Sequence, residues 1–420
     1  MHEATIAGII FLATYAIIVS EKVHRTAAAL AGGLLMILLG IVRQEDAFHA
    51  IDLNVIFLLA GMMMIAAIMA ETGIFQWMAV QAVRLGRGEP IRIMIILALI
   101  TAVTSALLDN VTVVVLIAPV ILFVASNLGV SPVPLLLTTV MASNIGGAAT
   151  LIGDPPNIII ASAAHIDFVT FLVNMGPPVL VALLGYSVLI YFLFRNSLVI
   201  PAERRKIARQ LQTSDLITDR KLLIQSLVVL GLVLLAFLLN SVLPLESATV
   251  ALAGATLLLI ITRHDPQKVL EDVEWTTLMF FVGLFITVEA VVEVGWIDRV
   301  AGALLDFTAG NPRVTTHLIL WLSAIASGIV DNIPYTATMV PIVQSLGESM
   351  DVRPLWWALA LGADFGGNLT LVGASANIVA ANLAERAGYK LTFREFLKYG
   401  VIVMLTSLIV SSVWLEISYL

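Results

Sequence analysis

Four acidic residues, Asp109, Asp154, Asp331 and Asp364, stand inside long apolar stretches, and no Lys or Arg is near any of them in sequence. A carboxylate at membrane depth is costly unless it is paired, hydrated or protonated. Each of the four therefore either carries a proton or meets a moving cation, and both are the chemistry of ion coupling. Plainer roles stay open beside this one: Asp109 and Asp331 are placed to cap the helices that follow them, and Asp154, next to Pro155, suits a turn. Neutral polar residues accompany the acids in both halves, with Asn110 matching Asn332, Thr150 matching Thr370 and Asn157 matching Asn377. Asn110, Asn144, Thr150 and Asn157 fall in the first half of the chain, and Asn332, Asn368, Thr370 and Asn377 in the second. Amides and hydroxyls offer donors and acceptors that hold a solute without fixing its charge. Gly146, Gly147, Gly366 and Gly367 permit close backbone approach.

These residues must be positioned by helices that break. The chain is 60% hydrophobic and only 12% charged, with a mean hydropathy of +1.02. Apolar runs long enough to cross a bilayer recur from end to end, so an all-α polytopic membrane protein is expected. Within it, "SNIGGAATLIGDPPNIII" (143–160) and "ADFGGNLTLVGASANIVA" (363–380) gather Gly, Pro, Asn and Asp where a helix should continue. Lipid-facing backbone must satisfy its own hydrogen bonds. Such breaks are tolerated only where protein or water lines them, and the amides and carbonyls they free can hold solutes and ions.

The two halves repeat. At an offset of 222, Asp52 falls on Glu274, Gly61 on Gly283, Asp109-Asn110 on Asp331-Asn332 and Pro119 on Pro341. At an offset of 220, "GGAATLIGDPPNI" lies over "GGNLTLVGASANI" with 7 identities in 13. Asp364 then matches Asn144, which suits one coupling site with a neutral partner. The expected architecture is two inverted repeats, about 10 transmembrane spans, two re-entrant helical hairpins and two broken helices. The first repeat covers 1–199, with scaffold spans in 1–90, a hairpin and broken helix in 91–165 and a last span at 174–195. A linker over 200–221 follows. The second repeat covers 222–420, with scaffold spans in 222–313, a hairpin and broken helix in 314–384 and a last span at 399–419.

Charge sets the expected orientation. In this topology Arg43, Arg299, Arg313 and Arg353 fall on one face and the other 18 of the 22 Lys and Arg on the opposite face. The basic face is cytoplasmic by the positive-inside rule. Both termini are then outside, and the basic segment 195–221 is cytoplasmic and anchors the topology. The start, "MHEATIAGII", has no basic n-region and is taken as the first span. With no cysteine there is no disulfide and no thiolate metal site. No Walker loop is present, so ATP use would require a separate ATPase subunit. The G-x-G-D element of intramembrane aspartyl proteases is missing before Asp154 and Asp364. Glu289 is either a proton relay or a group facing a watery crevice. Glu71 and Glu293 reach the interface, and His317 is structural.

The segments "LLDNVTVVVLIAPV", "SNIGGAATLIGDPPNIII", "IVDNIPYTATMVPI" and "GGNLTLVGASANIVAANLAERAGY" together resemble the ion transporter superfamily. The resemblance is to the branch of arsenite/antimonite efflux permeases, sodium/proton antiporters and the melanosomal P protein. It covers nearly the whole chain. A more distant similarity is to divalent-anion/sodium symporters, whose Ser-Asn-Thr tip is replaced here by Asp109-Asn110-Val111 and Asp331-Asn332-Ile333. That departure argues against sodium-coupled dicarboxylate uptake and for proton exchange. The resemblance implies a cell-membrane secondary transporter with a scaffold, an elevator-type transport domain and a homodimer through the scaffold halves. It places Asp109, Asn110, Asn144, Thr150 and Asn157 of the first half and Asp331, Asn332, Asp364, Asn368, Thr370 and Asn377 of the second at the central site; Gly146, Gly147, Gly366 and Gly367 are added as substrate-side positions from their freedom of backbone approach. Asp109, Asp154, Asp331 and Asp364 are assigned to coupling from their depth in apolar sequence. The leading expectation is proton-exchanged efflux of arsenite or antimonite. Alternatives are a sodium/proton antiporter and, from another class, an anion channel or anion/proton transporter like the P protein. No cofactor, metal or nucleic-acid partner is expected.

Overall fold

The computed structural model describes residues 2–20, 22–195, 216–240 and 245–420. In chain order the helices of the first half are α1 (His2–Ser20), α2 (Arg25–Leu38), α3 (Gln44–His49), α4 (Leu53–Ala70), α5 (Ile74–Leu85), α6 (Pro90–Leu107), α7 (Asn110–Leu128), α8 (Val133–Gly147), α9 (Pro155–Ala163) and α10 (Phe168–Phe194). Those of the second are α11 (Arg220–Leu238), α12 (Ser247–Thr262), α13 (Pro266–Glu271), α14 (Trp275–Glu293), α15 (Trp296–Thr308), α16 (Pro312–Val330), α17 (Asn332–Leu346), α18 (Arg353–Gly366), α19 (Ser375–Arg386) and α20 (Phe393–Ser418). Among the described residues, nine helical segments are long and apolar enough to cross a membrane. Large apolar side chains such as Leu12, Leu232 and Val413 point outward, as lipid contact requires.

Local signals set the helix ends. Asp52, Asp167 and Asp219 each accept hydrogen bonds from backbone N–H groups of the turn that follows, satisfying donors that a helix start leaves free. Pro90, Pro155 and Pro312 occupy first-turn positions, where a missing N–H costs nothing. Both broken helices are present: α8 and α9 are separated by residues 148–154, and α18 and α19 by residues 367–374.

The repeat is visible as packing. α2 lies along α14 as α4 lies along α12, and α6 lies along α8 as α16 lies along α18. The first two crossings tie one half to the other; the last two stay within a half. The matched glycines explain the closeness of the crossings. A Cβ on Gly283 would lie 2.5 Å from the carbonyl carbon of Ala29, and one on Gly61 would lie 2.8 Å from that of Ala251. Neither position has room for a side chain.

Four short helices, α3, α5, α13 and α15, were not expected from the apolar runs. They are too short to span and they pair by repeat, α3 with α13 and α5 with α15. Of the linker expected over 200–221, residues up to 215 lie outside the described residues. Its end returns to the loop after α4, where Thr218 N donates to Thr72 O at 3.0 Å and Thr218 Oγ1 donates to Glu71 O at 2.7 Å.

Candidate substrate and ion site

The tip of the α6–α7 hairpin, at Leu108 and Asp109, meets the break between α8 and α9. Asn110 N donates to Gly153 O at 3.1 Å. Asn110 Nδ2 reaches Asp154 Oδ2 at 2.6 Å and Asn144 Oδ1 at 3.3 Å. The tip of the α16–α17 hairpin reaches the same place, where Asn332 Nδ2 donates to Asp154 Oδ1 at 3.1 Å. Asp154 is thus held by one asparagine from each tip. Asn144 Nδ2 then crosses to the second break, donating to Asn368 Oδ1 and Asn377 Oδ1, both at 3.0 Å. Two tips and two breaks therefore converge on one chamber, and Asp109, Asn110, Asn144, Asp154, Asn157, Asp331, Asn332, Asp364, Asn368 and Asn377 are all buried.

Several residues are spent on building the chamber. Asn157 Nδ2 donates to Gly147 O and Thr150 O; Asn377 Nδ2 donates to the matching Gly367 O and Thr370 O. Each asparagine closes the loop of its own break. Thr150 Oγ1 donates to Ala106 O and Thr370 Oγ1 to Gly328 O, both at 2.6 Å, tying each break to its hairpin. Gly146 and Gly366 face the same hairpins: a Cβ would fall 2.4 Å from Ala102 Cα and 2.7 Å from Ala324 Cα. A Cβ on Gly147 would lie near Gly153 O in the loop of its own break, and one on Gly367 near Asp364 O of the preceding helix and Ala374 Cβ and Gly373 O of its own break. The close approach that these glycines permit is thus protein to protein.

Asp109 and Asp331 do cap. Asp109 Oδ1 accepts from Thr112 N at 2.9 Å and Asp331 Oδ1 from Ile333 N at 3.0 Å. Asp154 makes no cap bond; its oxygens go to the two tip asparagines. Asp364 differs from all three. Neither of its carboxylate oxygens has a hydrogen-bond partner among the described protein groups, and the same is true of Asn157 Oδ1. Asn157 lies beside Asp364. The repeat shows what is missing. In the matching pair, Asn144 donates its amide to Asn377 Oδ1. Asp364 occupies the position of Asn144 and has no amide to donate to Asn157 Oδ1.

One residue of the site was not foreseen. Arg25, at the start of α2, donates from Nη1 to Asp331 Oδ2 at 3.3 Å and to Ser375 Oγ. It also reaches Thr277 Oγ1 at 3.5 Å from Nη2, and its guanidinium sits 5.3 Å from the centre of the Phe280 ring. Ser375 Oγ donates to the same Asp331 oxygen at 3.0 Å. The expectation that the tip acids are uncompensated is therefore corrected at Asp331. A cavity of about 560 Å³ opens beside His24 and Arg25 and reaches Asp331 and Ser375. Its repeat-related counterpart, about 800 Å³ and lined by Asp52, Asn54, Glu246 and Ser247, reaches neither tip. Among the described residues no cluster of His, Asp or Glu is arranged to hold a metal ion.

The family model for citrate transporters, CitMHS, matches residues 15–362. The chain belongs to the CitMHS family. Other relatives agree that this is a membrane transporter. An "uncharacterized transporter" of Mycobacterium tuberculosis is 47% identical over 99% of this CitMHS chain and 98% of its own length. The P protein of Homo sapiens is 35% identical over 99% of this chain, which spans 60% of that longer protein. The P-protein likeness read from the motifs is thus met in the P protein itself, while the family is that of the citrate transporters. The YdaH transporter of Alcanivorax borkumensis shares the fold at 15% identity, with a TM-score of 0.57 over 99% of this chain and 98% of that one.

Proposed function

We propose that this chain is a secondary active transporter that exchanges a proton carried at Asp364 for a small solute held by the asparagine ring. The hairpins and broken helices move together against the remaining helices, as in an elevator. One observation carries this reading: beside Asn157, both carboxylate oxygens of the buried Asp364 are left without a hydrogen-bond donor among the described protein groups. Asn157 cannot turn its amide round, because Nδ2 is committed to two carbonyls. An ionised Asp364 would be buried with no donor to either oxygen among the described protein groups, which is unfavourable. A proton on Asp364 supplies the missing donor and restores the bond that Asn144 makes in the other half. A proton moving inward across 100 mV contributes about 2.3 kcal/mol.

The chamber supports an uncharged, hydroxyl-bearing solute. Among the described residues, no Lys or Arg is bonded to Asn110, Asn144, Asp154 or Asp364. Arsenous acid is mostly neutral near pH 7 and presents three hydroxyls, so efflux of arsenite or antimonite is the leading reading. A free tricarboxylate, which the family's description suggests, would meet four buried acids. A sodium/proton antiporter is the second reading, favoured by the same orphan oxygens, since acceptors without donors also suit a sodium ion.

Everted vesicles carrying a pH-sensitive dye test these readings when arsenite, antimonite, citrate and sodium are added in turn. Proton movement with arsenite or antimonite, lost in Asp364→Asn, is the expected result. A response to sodium alone, or to citrate alone, removes the metalloid reading. Unchanged exchange in Asp364→Asn removes the proton site.

A further inference from the structure

The ion pair Arg25–Asp331 joins two bodies that the proposed motion separates. Arg25 belongs to α2, which packs along α14; Asp331 belongs to a hairpin tip that packs at the broken helices. The pair is partly shielded, with the side chains of Arg25 and Asp331 retaining 27% and 8% of their exposure. Facing Asp331 are Arg25 and Ser375 directly, Glu274 from the start of α14, and Asp154 across the chamber.

This contact has no twin. At the repeat offset of 222, Arg25 matches Ser247 and Asp331 matches Asp109. Ser247 opens α12 as Arg25 opens α2, yet carries no charge, and it lines the cavity that reaches neither tip. The backbone is one-sided as well. Asp331 sits at φ 89°, ψ 140°, where residues with a side chain are strained, whereas Asp109 sits at an ordinary φ of −62°. Strain of this kind persists only where surrounding contacts enforce it, and the contacts enforcing it here are those with Arg25, Ser375 and the capped Ile333 N–H.

We propose that Arg25 and Asp331 form a latch on one face only: the pair holds the cargo-free, ionised carrier with its cavity open beside Arg25, and the carrier leaves that state when Asp331 exchanges Arg25 for a proton or for a hydroxyl of the bound solute. This rests on the transporter reading above. In the opposite state the inverted repeat brings Asp109 to Ser247, where no cation waits. The energy difference between the two empty states is then written into a single pair of side chains, and Arg25 is a positioning residue for coupling, not a ligand of the solute.

The absence of native cysteine allows a test that does not depend on knowing the solute. Val379 is half-buried and lines the cavity beside Arg25. In Val379→Cys, labelling by a membrane-impermeant maleimide is measured from each side of the membrane in the absence of cargo. With Arg25→Ser or Asp331→Asn added, labelling from the open side should fall roughly fivefold or more, the usual lower range of such a coupling. Arg25→Lys, which keeps the charge, should retain most of it. A second arm leaves the pair intact: Ser247→Arg gives Asp109 a cation in the opposite state and should lower labelling of Val379→Cys by itself. Size-exclusion of each variant as a single species confirms folding. Unchanged labelling in Arg25→Ser and in Ser247→Arg overturns the latch, as does equal loss in Arg25→Lys and Arg25→Ser. These outcomes are separate from the dye assay, whose failure would instead remove the exchange reaction.

Discussion

At the scale of single residues, the chamber separates groups that build it from groups left with unmet valence. Asn144 is a builder, giving one amide to two acceptors of the other half. Asn144→Ala should destabilise the protein by about 2 kcal/mol, because it strands buried acceptors as well as losing bonds; thermal unfolding in detergent reads this. Asp364→Asn should do the reverse. It supplies a permanent donor to Asn157 Oδ1, so the unfolding midpoint should hold or rise by an equivalent of about 1 kcal/mol while coupled exchange disappears. A fall in the midpoint would show that Asp364 is satisfied as it stands. The four acids were legible in the sequence because burial of charge has few explanations. Arg25 was not, since it lies 306 residues from Asp331 and only the fold brings them together. The roles of Thr150 and Thr370 were hidden for a similar reason: a threonine in a break reads equally as ligand or as tie, and only the positions of Ala106 O and Gly328 O decide for the tie.

At the scale of elements, the crossings of α2 with α14 and α4 with α12 depend on absent side chains. Gly283→Val would push a branched side chain into the Ala29 backbone and should cost about 3 kcal/mol, seen as loss of monodisperse protein and a lowered unfolding midpoint. Gly302→Ala, in α15 where a Cβ meets nothing within 4 Å, should instead gain about 0.5 kcal/mol. The breaks were readable because Gly, Asn and Asp, joined by Pro in the first, interrupt the apolar runs within 143–160 and 363–380. The short helices α3, α5, α13 and α15 were not, because a search for spans of about 20 residues passes over amphipathic helices that lie between them. Pro177 and Pro178 show the limit of composition: they sit inside continuous α10, whereas Pro155 and Pro156 open α9. The difference is the preceding chain, since glycine-rich sequence leads into the second pair only.

At the scale of the molecule, the distribution of Lys and Arg predicts that both termini lie outside. Alkaline phosphatase fused after Leu420 should be active and green fluorescent protein at the same point dark, because phosphatase folds only outside the cytoplasm. The opposite pattern would invert the whole orientation, and with it the face on which the Arg25 cavity opens.

A body made of two equivalent halves pointing in opposite directions has no intrinsic sense of direction: whatever one half favours, its twin favours in reverse. Any preference of the empty protein for one facing state over the other must come from positions at which the twins disagree. The chamber and its approaches offer a short register of these: Asn144 against Asp364, Asp154 against Ala374, Pro155 against Ser375, Ala148 against Asn368, and Ser247 against Arg25. Exchanging residues within those five pairs should invert which facing state the empty carrier prefers, while the gradients still set the direction of net movement.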